Sequence, residues 1–286
     1  MSRWRRGPRP WLLSLAIVAA GLNGGCGPGQ APQPVQSSAS APLTGTVSIK
    51  VDGDQPGWGE LTLPSTYSGF DVDMSRWIAD RHKFQPSLSV IATADREQEL
   101  MKSDGKMLVI ATYSITDKRR QKVGMAGPYI KTQQGVMVRA GDTSIGNVAD
   151  LKGKHVCTAE GTTSESQLNH IGATVTTRAG FGECIEELRK GLGVQAVSTD
   201  LLILHGFANK HSELHVVENL AFGASEQYGI GFKKGDIATC QVLTALIKDF
   251  IISGTWDVYY TNYRFPESLR ATSRPDPALL DSCDSP

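Results

Sequence analysis

The sequence predicts an α/β fold made of two similar units, each a mainly parallel sheet flanked by helices. Three observations carry this. From about residue 46 to residue 217, short apolar runs of strand length alternate with segments of helical periodicity, and strand, helix, strand in succession means parallel strands joined by crossovers. The alternation starts afresh after residue 139, which divides it into two series. A chain of 286 residues with 40% hydrophobic content can fill one large or two small cores.

The N-terminus precedes this pattern. Arg3, Arg5, Arg6 and Arg9 lead into an apolar run over 11–21, too short to span a bilayer comfortably but suited to a secretory signal, here residues 1–25. The chain is therefore expected to be exported. Leu22-Asn23-Gly24-Gly25-Cys26 has the form of a lipoprotein processing site that leaves Cys26 as a lipid-modified N-terminus, although Asn23 stands where an apolar residue is usual. The other reading is plain secretory cleavage. Residues 27–42 are rich in Gly, Pro, Gln, Ser and Ala, so 26–42 reads as an anchor and a disordered tether.

Residues 46–51 alternate as a strand, and 52–59 reads as a Gly-, Asp- and Pro-marked loop. A helix follows from about 70 to 81, with Phe70, Met74, Trp77 and Ile78 on one face. Next come strand 88–92, helix 96–102 and strand 108–111. Residues 112–117 supply hydroxyls and a carboxylate to turn the chain and cap a helix near Lys118. Strand 133–139 closes the first series. The second series reads as short helix 145–151, strand 155–158, helix 161–171, strand 174–177, helix 183–190, strand 196–199, helix 201–208 and strand 214–217. Strand 228–233, a long helix over 237–253 and a helical piece over 256–263 complete the chain.

Net charge is zero, so neither nucleic acid nor an anionic membrane surface is indicated as an electrostatic partner. Besides Cys26 there are four cysteines, Cys157, Cys184, Cys240 and Cys283. Their spacing matches no zinc pattern, and an exported chain would pair them in one of three ways. His205, His211 and His215 lack the carboxylate or thiol spacing of a metal site.

The stretch 110–120 carries the chemistry. A strand ending in hydroxyls, with Arg119 one helical turn on, can hold a small carboxylate between backbone N–H groups near Thr112, the Ser114 hydroxyl and a planar guanidinium. Glu160-Gly161-Thr162-Thr163-Ser164 follows a strand and opens a helix, so Thr162 and Thr163 offer a second anion-holding turn. Asp200 ends the strand over 196–199, where its bland role is a helix cap.

Eight motifs in order resemble the polar amino-acid solute-binding proteins of bacterial ABC importers, especially the glutamate-binding branch. They are Asp54-Gln55-Pro56-Gly57, Gly69-Phe70-Asp71-Val72-Asp73, the run 111–117, Ala126-Gly127-Pro128-Tyr129, Leu151-Lys152-Gly153-Lys154, the run 156–164, the run 196–200, and Tyr228-Gly229-Ile230-Gly231. The resemblance implies a two-lobed periplasmic-binding-protein-like fold of type II that closes on its ligand. Lobe 1 would be 43–134 plus 229–286 and lobe 2 would be 135–228, with crossings near 134–139 and 223–228. It implies disulfides Cys157–Cys184 and Cys240–Cys283, a monomer, no cofactor, and an ABC permease as membrane partner. A sensor reporting to a membrane receptor or kinase is the alternative.

By the same resemblance Arg119, with Ser114 and Thr112, clamps the ligand α-carboxylate, Thr162 and Thr163 meet it from the other lobe, and Asp200 pairs with the α-ammonium. Arg96 matches an Arg that reaches the side-chain carboxylate of acidic ligands. Asp52 stands where glutamine and basic-amino-acid binders carry Asp. The two point in different directions, so glutamate is expected first, then glutamine, aspartate or asparagine. An enzyme would need a general acid in the cleft, and only Glu160 offers one, so no catalysis is expected.

Overall fold

The computed structural model describes residues 43–62, 64–280 and 283. The segments read as a signal peptide and a tether, with Cys26 between them, lie outside the described residues.

The chain begins with β1 (Thr46–Val51), a three-stranded antiparallel hairpin sheet of β2 (Asp54–Gln55), β3 (Gly59–Thr62) and β4 (Thr66–Ser68), and α1 (Phe70–His82). Next come β5 (Gln85–Val90), α2 (Arg96–Lys102), β6 (Met107–Val109), α3 (Asp117–Arg120) and β7 (Gly124–Arg139). The second series is β8 (His155–Ala159), α4 (Thr163–Ile171), β9 (Thr174–Arg178), α5 (Phe181–Lys190), β10 (Ala196–Asp200), α6 (Leu201–Ala208) and β11 (Leu214–Val216). The chain returns through β12 (Phe222–Phe232) to α7 (Ile237–Ile252), α8 (Thr255–Asn262) and α9 (Glu267–Ser273).

One sheet runs in the order β5-β1-β6-β12-β7-β10-β8-β9, with β11 also pairing on β7. β5, β1 and β6 are parallel, as are β10, β8 and β9. Between these triplets lie β12 and β7, antiparallel to each other and to their outer neighbours. The result is the two-lobed type II arrangement of a periplasmic-binding-protein-like fold, with β7 and β12 as the strands common to both halves.

The largest core joins β1, α1 and α7 to an aromatic group in which Phe70 packs near Trp58, Tyr129, Phe250, Trp256 and Phe265. The expected face of α1 is confirmed: Phe70, Met74 and Ile78 are fully buried, and Trp77 meets Phe250 edge-on at 5.1 Å. Burial of each such side chain contributes about 1.5–3 kcal/mol. A separate core under the second triplet collects Val136, Val138, Leu151, Val156, Leu168 and Ala196. Cys157–Cys184 ties β8 to α5 and Cys240–Cys283 ties α7 to the C-terminal segment, with Cα separations of 5.5 and 5.7 Å. Both are the pairings the resemblance implied.

Five parts of the chain differ from expectation. The loop over 52–59 contains β2 and begins a hairpin sheet, whose strands are too short to show alternation. β5 lies three residues earlier than expected. β7 is 16 residues long rather than seven, because it runs through Gly127 and Pro128, joined by a cis peptide, where Gly and Pro argue against a central strand. β12 likewise starts upstream of Tyr228, and α9 was not expected. The crossings expected near 134–139 and 223–228 therefore lie within long paired strands.

Candidate functional site

After β6 the chain turns sharply at Thr112, whose φ of 43° is a strained value for a β-branched residue. Asp71, in the first turn of α1, holds the turn. Its Oδ2 accepts from Thr112 N at 2.8 Å and its Oδ1 from Tyr129 Oη at 2.9 Å. Burial pushes the Asp71 carboxyl up to about 7, against the opposing pull of the Thr112 and Tyr129 bonds and of Arg96. Thr112 Oγ1 lies 3.2 Å from Asp52 Oδ2 and 3.1 Å from Gln55 Oε1.

Beyond the turn, Tyr113 O accepts from Gly229 N and Ile115 N donates to Gln227 O, so both groups face β12. The polar backbone groups of Ser114, between them, face the opposite way by the alternation of an extended chain. There Ser114 O accepts from Arg119 Nη1 at 2.7 Å. Thr116 caps α3 by accepting from Arg119 N. Arg119 also donates from Nη2 to Gly161 O at 3.1 Å, just before α4. Its guanidinium lies 4.7 Å from the centre of the Tyr113 ring, as does that of Arg96. Burial and the neighbouring Arg96 lower the Arg119 pKa to about 10, which leaves it a cation at neutral pH.

Across from this clamp, Thr162 caps α4 by accepting from Glu165 N at 3.1 Å. Asp200 ends β10 opposite Gln134 of β7, and Gln134 Nε2 donates to Asp200 Oδ1 at 2.8 Å. The same nitrogen donates to Glu226 Oε1 at 2.9 Å. Tyr228 Oη donates to Asp200 Oδ2 at 2.5 Å. Burial, then the charge of Glu226, push the Asp200 carboxyl well above its ordinary value. Asp200 does not cap α6 through its side chain.

Arg96 is buried rather than exposed on its helix. Its Nε donates to Thr93 O at 2.9 Å and its Nη1 to Ala111 O at 2.8 Å. Arg96, Thr112, Ser114, Arg119, Thr162, Thr163 and Asp200 all line one cavity. Asp52 does not: it lies behind Thr112 and lines a neighbouring hollow with Asp54 and Glu183. Sequence reasoning missed Gln134, Glu226, Tyr228 and Asp71 as parts of this site. The only signal for Asp71 was its motif, and none marked Gln134.

The hairpin sheet closes over the cavity from one side. Asp54 Oδ2 accepts from Gly182 N at 2.8 Å at the start of α5, whose N-cap Gly180 has no side chain to do so. Trp58 Nε1 donates to Leu202 O at 3.2 Å, and Lys210 pairs with Glu60. Gly206 of α6 packs so tightly on the hairpin that a Cβ there would lie 2.0 Å from Pro56 O. Among the described residues, no three His, Cys, Asp or Glu side chains gather as a metal site.

The model of one protein family, the bacterial extracellular solute-binding proteins, family 3, matches residues 47–267. The glutamate-binding protein GluB of Corynebacterium efficiens is 30% identical over 230 residues, which cover 76% of this chain and 78% of that one. The ABC transporter glutamine-binding protein GlnH of Bacillus subtilis is 29% identical over 203 residues, 68% of this chain and 72% of that one. Among solved structures, an ancestral arginine-binding protein bound to glutamine matches with a TM-score of 0.72 at 26% identity, covering 78% of this chain and 99% of that one.

Proposed function

The chain belongs to the bacterial extracellular solute-binding proteins, family 3, and from that premise we propose that it captures a polar amino acid between two closing lobes and hands it to an ABC permease. Glutamate is the first choice, ahead of glutamine, aspartate and asparagine. The observation that carries this is the charge pattern of one buried cavity, lined by two guanidiniums, Arg96 and Arg119, and one carboxylate, Asp200. Glutamate presents the complement, two carboxylates and one ammonium. Arg119 with the Ser114 backbone takes the α-carboxylate, Thr162 and Thr163 approach it from the opposite lobe, Asp200 takes the ammonium, and Arg96 takes the side-chain carboxylate. The position of Asp52 behind Thr112 supports an acidic over a basic side chain.

In this reading lobe 1 is 43–134 with 229–286, lobe 2 is 135–228, and the hinge lies where β7 and β12 pass between them. Cys26 carries the lipid that holds the exported protein to the outer face of the cytoplasmic membrane, and 27–42 is its tether. The protein acts as a monomer and performs no catalysis. A thermal-shift screen against the twenty amino acids tests the ligand, because a ligand of the native state raises the melting temperature. Stabilisation by glutamate above the rest is expected. A shift with arginine or lysine alone would put Asp52 in the pocket, and no shift with any amino acid would overturn the reading.

A further inference from the structure

We propose that Glu226 is the second half of the ammonium site: Glu226 and Asp200 form a buried carboxylate pair that holds one proton in the unliganded protein and releases it to solvent when the ligand ammonium arrives. The inference rests on the amino-acid reading above.

The geometry is set by Gln134. Its side-chain nitrogen has two hydrogens, and its nearest acceptors are Asp200 Oδ1 at 2.8 Å and Glu226 Oε1 at 2.9 Å, with Thr163 Oγ1 farther off at 3.3 Å. The amide oxygen faces the other way and accepts from Ser164 Oγ at 2.7 Å. Two carboxylates are thereby held against one nitrogen in a region where Gln134 is 0% exposed, Asp200 4% and Glu226 8%. Held away from water beside the charge of Glu226, Asp200 does not ionise freely.

The charged and titratable groups facing Asp200 are Glu226 and Tyr228 from β12, Arg119 from α3 and Arg96 from α2. Tyr228 already donates to its Oδ2. The two guanidiniums attract the pair, but their hydrogen bonds go to carbonyl oxygens: Arg119 to Ser114 and Gly161, Arg96 to Thr93 and Ala111. Neither donates to Asp200 or Glu226 among the described residues. The pair therefore retains a proton until a cation with hydrogens to donate comes against Asp200. The ligand ammonium is that cation and keeps its own protons. The carboxyl O–H of the pair breaks, its electrons stay on the oxygen, and one proton goes to water. Affinity then rises with pH, by up to about tenfold per unit, until the unliganded pair ionises by itself.

Isothermal titration of the protein with glutamate, between pH 6 and 8 in buffers of different ionisation enthalpy, counts the protons. The expected result is release of up to one proton per glutamate, falling towards zero in Glu226→Gln, whose amide oxygen can still accept from Gln134 while the variant still binds. Heats independent of buffer in the unaltered protein overturn the inference without any variant. Undiminished release in a folded, binding Glu226→Gln overturns it too. Heat without proton exchange leaves the amino-acid reading standing, whereas no heat from any amino acid removes both.

Discussion

Gly206→Ala should weaken ligand binding. Gly206 lies inside α6, where alanine is favoured over glycine by about 1 kcal/mol. Where α6 meets the hairpin, however, the new Cβ would lie 2.0 Å from Pro56 O, whereas real Cβ atoms stay beyond 3.0 Å. The obstacle is a backbone carbonyl, so the hairpin must retreat by about 1 Å, which strains the Trp58–Leu202, Asp54–Gly182 and Lys210–Glu60 contacts beside it. Overpacking of this kind costs about 1–3 kcal/mol, and in the proposed reading, where the hairpin and α6 meet as the ligand is enclosed, glutamate affinity should fall roughly 5- to 150-fold. Isothermal titration gives the affinity, and urea unfolding without ligand gives the stability. Unchanged affinity in a normally folded Gly206→Ala would refute the argument that the hairpin and α6 must meet for binding.

Asp71→Asn should flatten the pH dependence of stability. The folded carboxyl sits at about 7 against an ordinary 3.8, so below pH 3.8 its contribution is fully present, and it is lost as pH rises through 7, by up to about 4 kcal/mol. The stability of Asp71→Asn minus that of the unaltered protein should therefore grow between pH 4 and 7 in urea titrations; a constant difference contradicts the assignment. Arg119→Lys, which keeps the charge but loses the planar fork, should weaken glutamate binding about 10- to 150-fold by titration calorimetry. Arg96→Met should weaken glutamate by a similar factor and glutamine by about threefold or less, and equal losses would show that Arg96 does not read the ligand side chain. Tyr113→Phe removes a buried hydroxyl that finds no partner among the described residues, so the melting temperature should hold or rise, by the equivalent of about 1 kcal/mol.

Where periodicity was strong, the sequence was explicit. Helix α2 begins at Arg96 and ends at Lys102 as read, and α6 spans Leu201–Ala208 as read, because apolar spacing and turn residues agree there. The hairpin from Asp54 to Ser68 was illegible, since strands of two to four residues carry no pattern. Arg119, Ser114 and Thr112 could be singled out because they fall in one stretch that is compatible with an anion clamp and resembles the family's central motif. Gln134 and Glu226 could not: they are neighbours only because β7 and β12 pair, and nothing local to either residue marks that meeting. The burial of Arg96 was equally hidden, since its partners Thr93 O and Ala111 O are backbone atoms set by the fold.

The indole of Trp58 rests between two parts of the molecule that, in the proposed reading, separate for a ligand to enter. Its ring stacks on Phe265 at 4.6 Å and meets Tyr228 edge-on, while its N–H reaches across to the carbonyl of Leu202 at the start of α6. Trp256, in contrast, donates to Tyr129 O within the aromatic core. Opening would take the Leu202 carbonyl away from Trp58 and put water in its place, shifting that residue's emission to longer wavelength while Trp256 stays unaltered. The protein thus carries a built-in optical gauge of its own closure, readable in an ordinary fluorimeter without any attached dye.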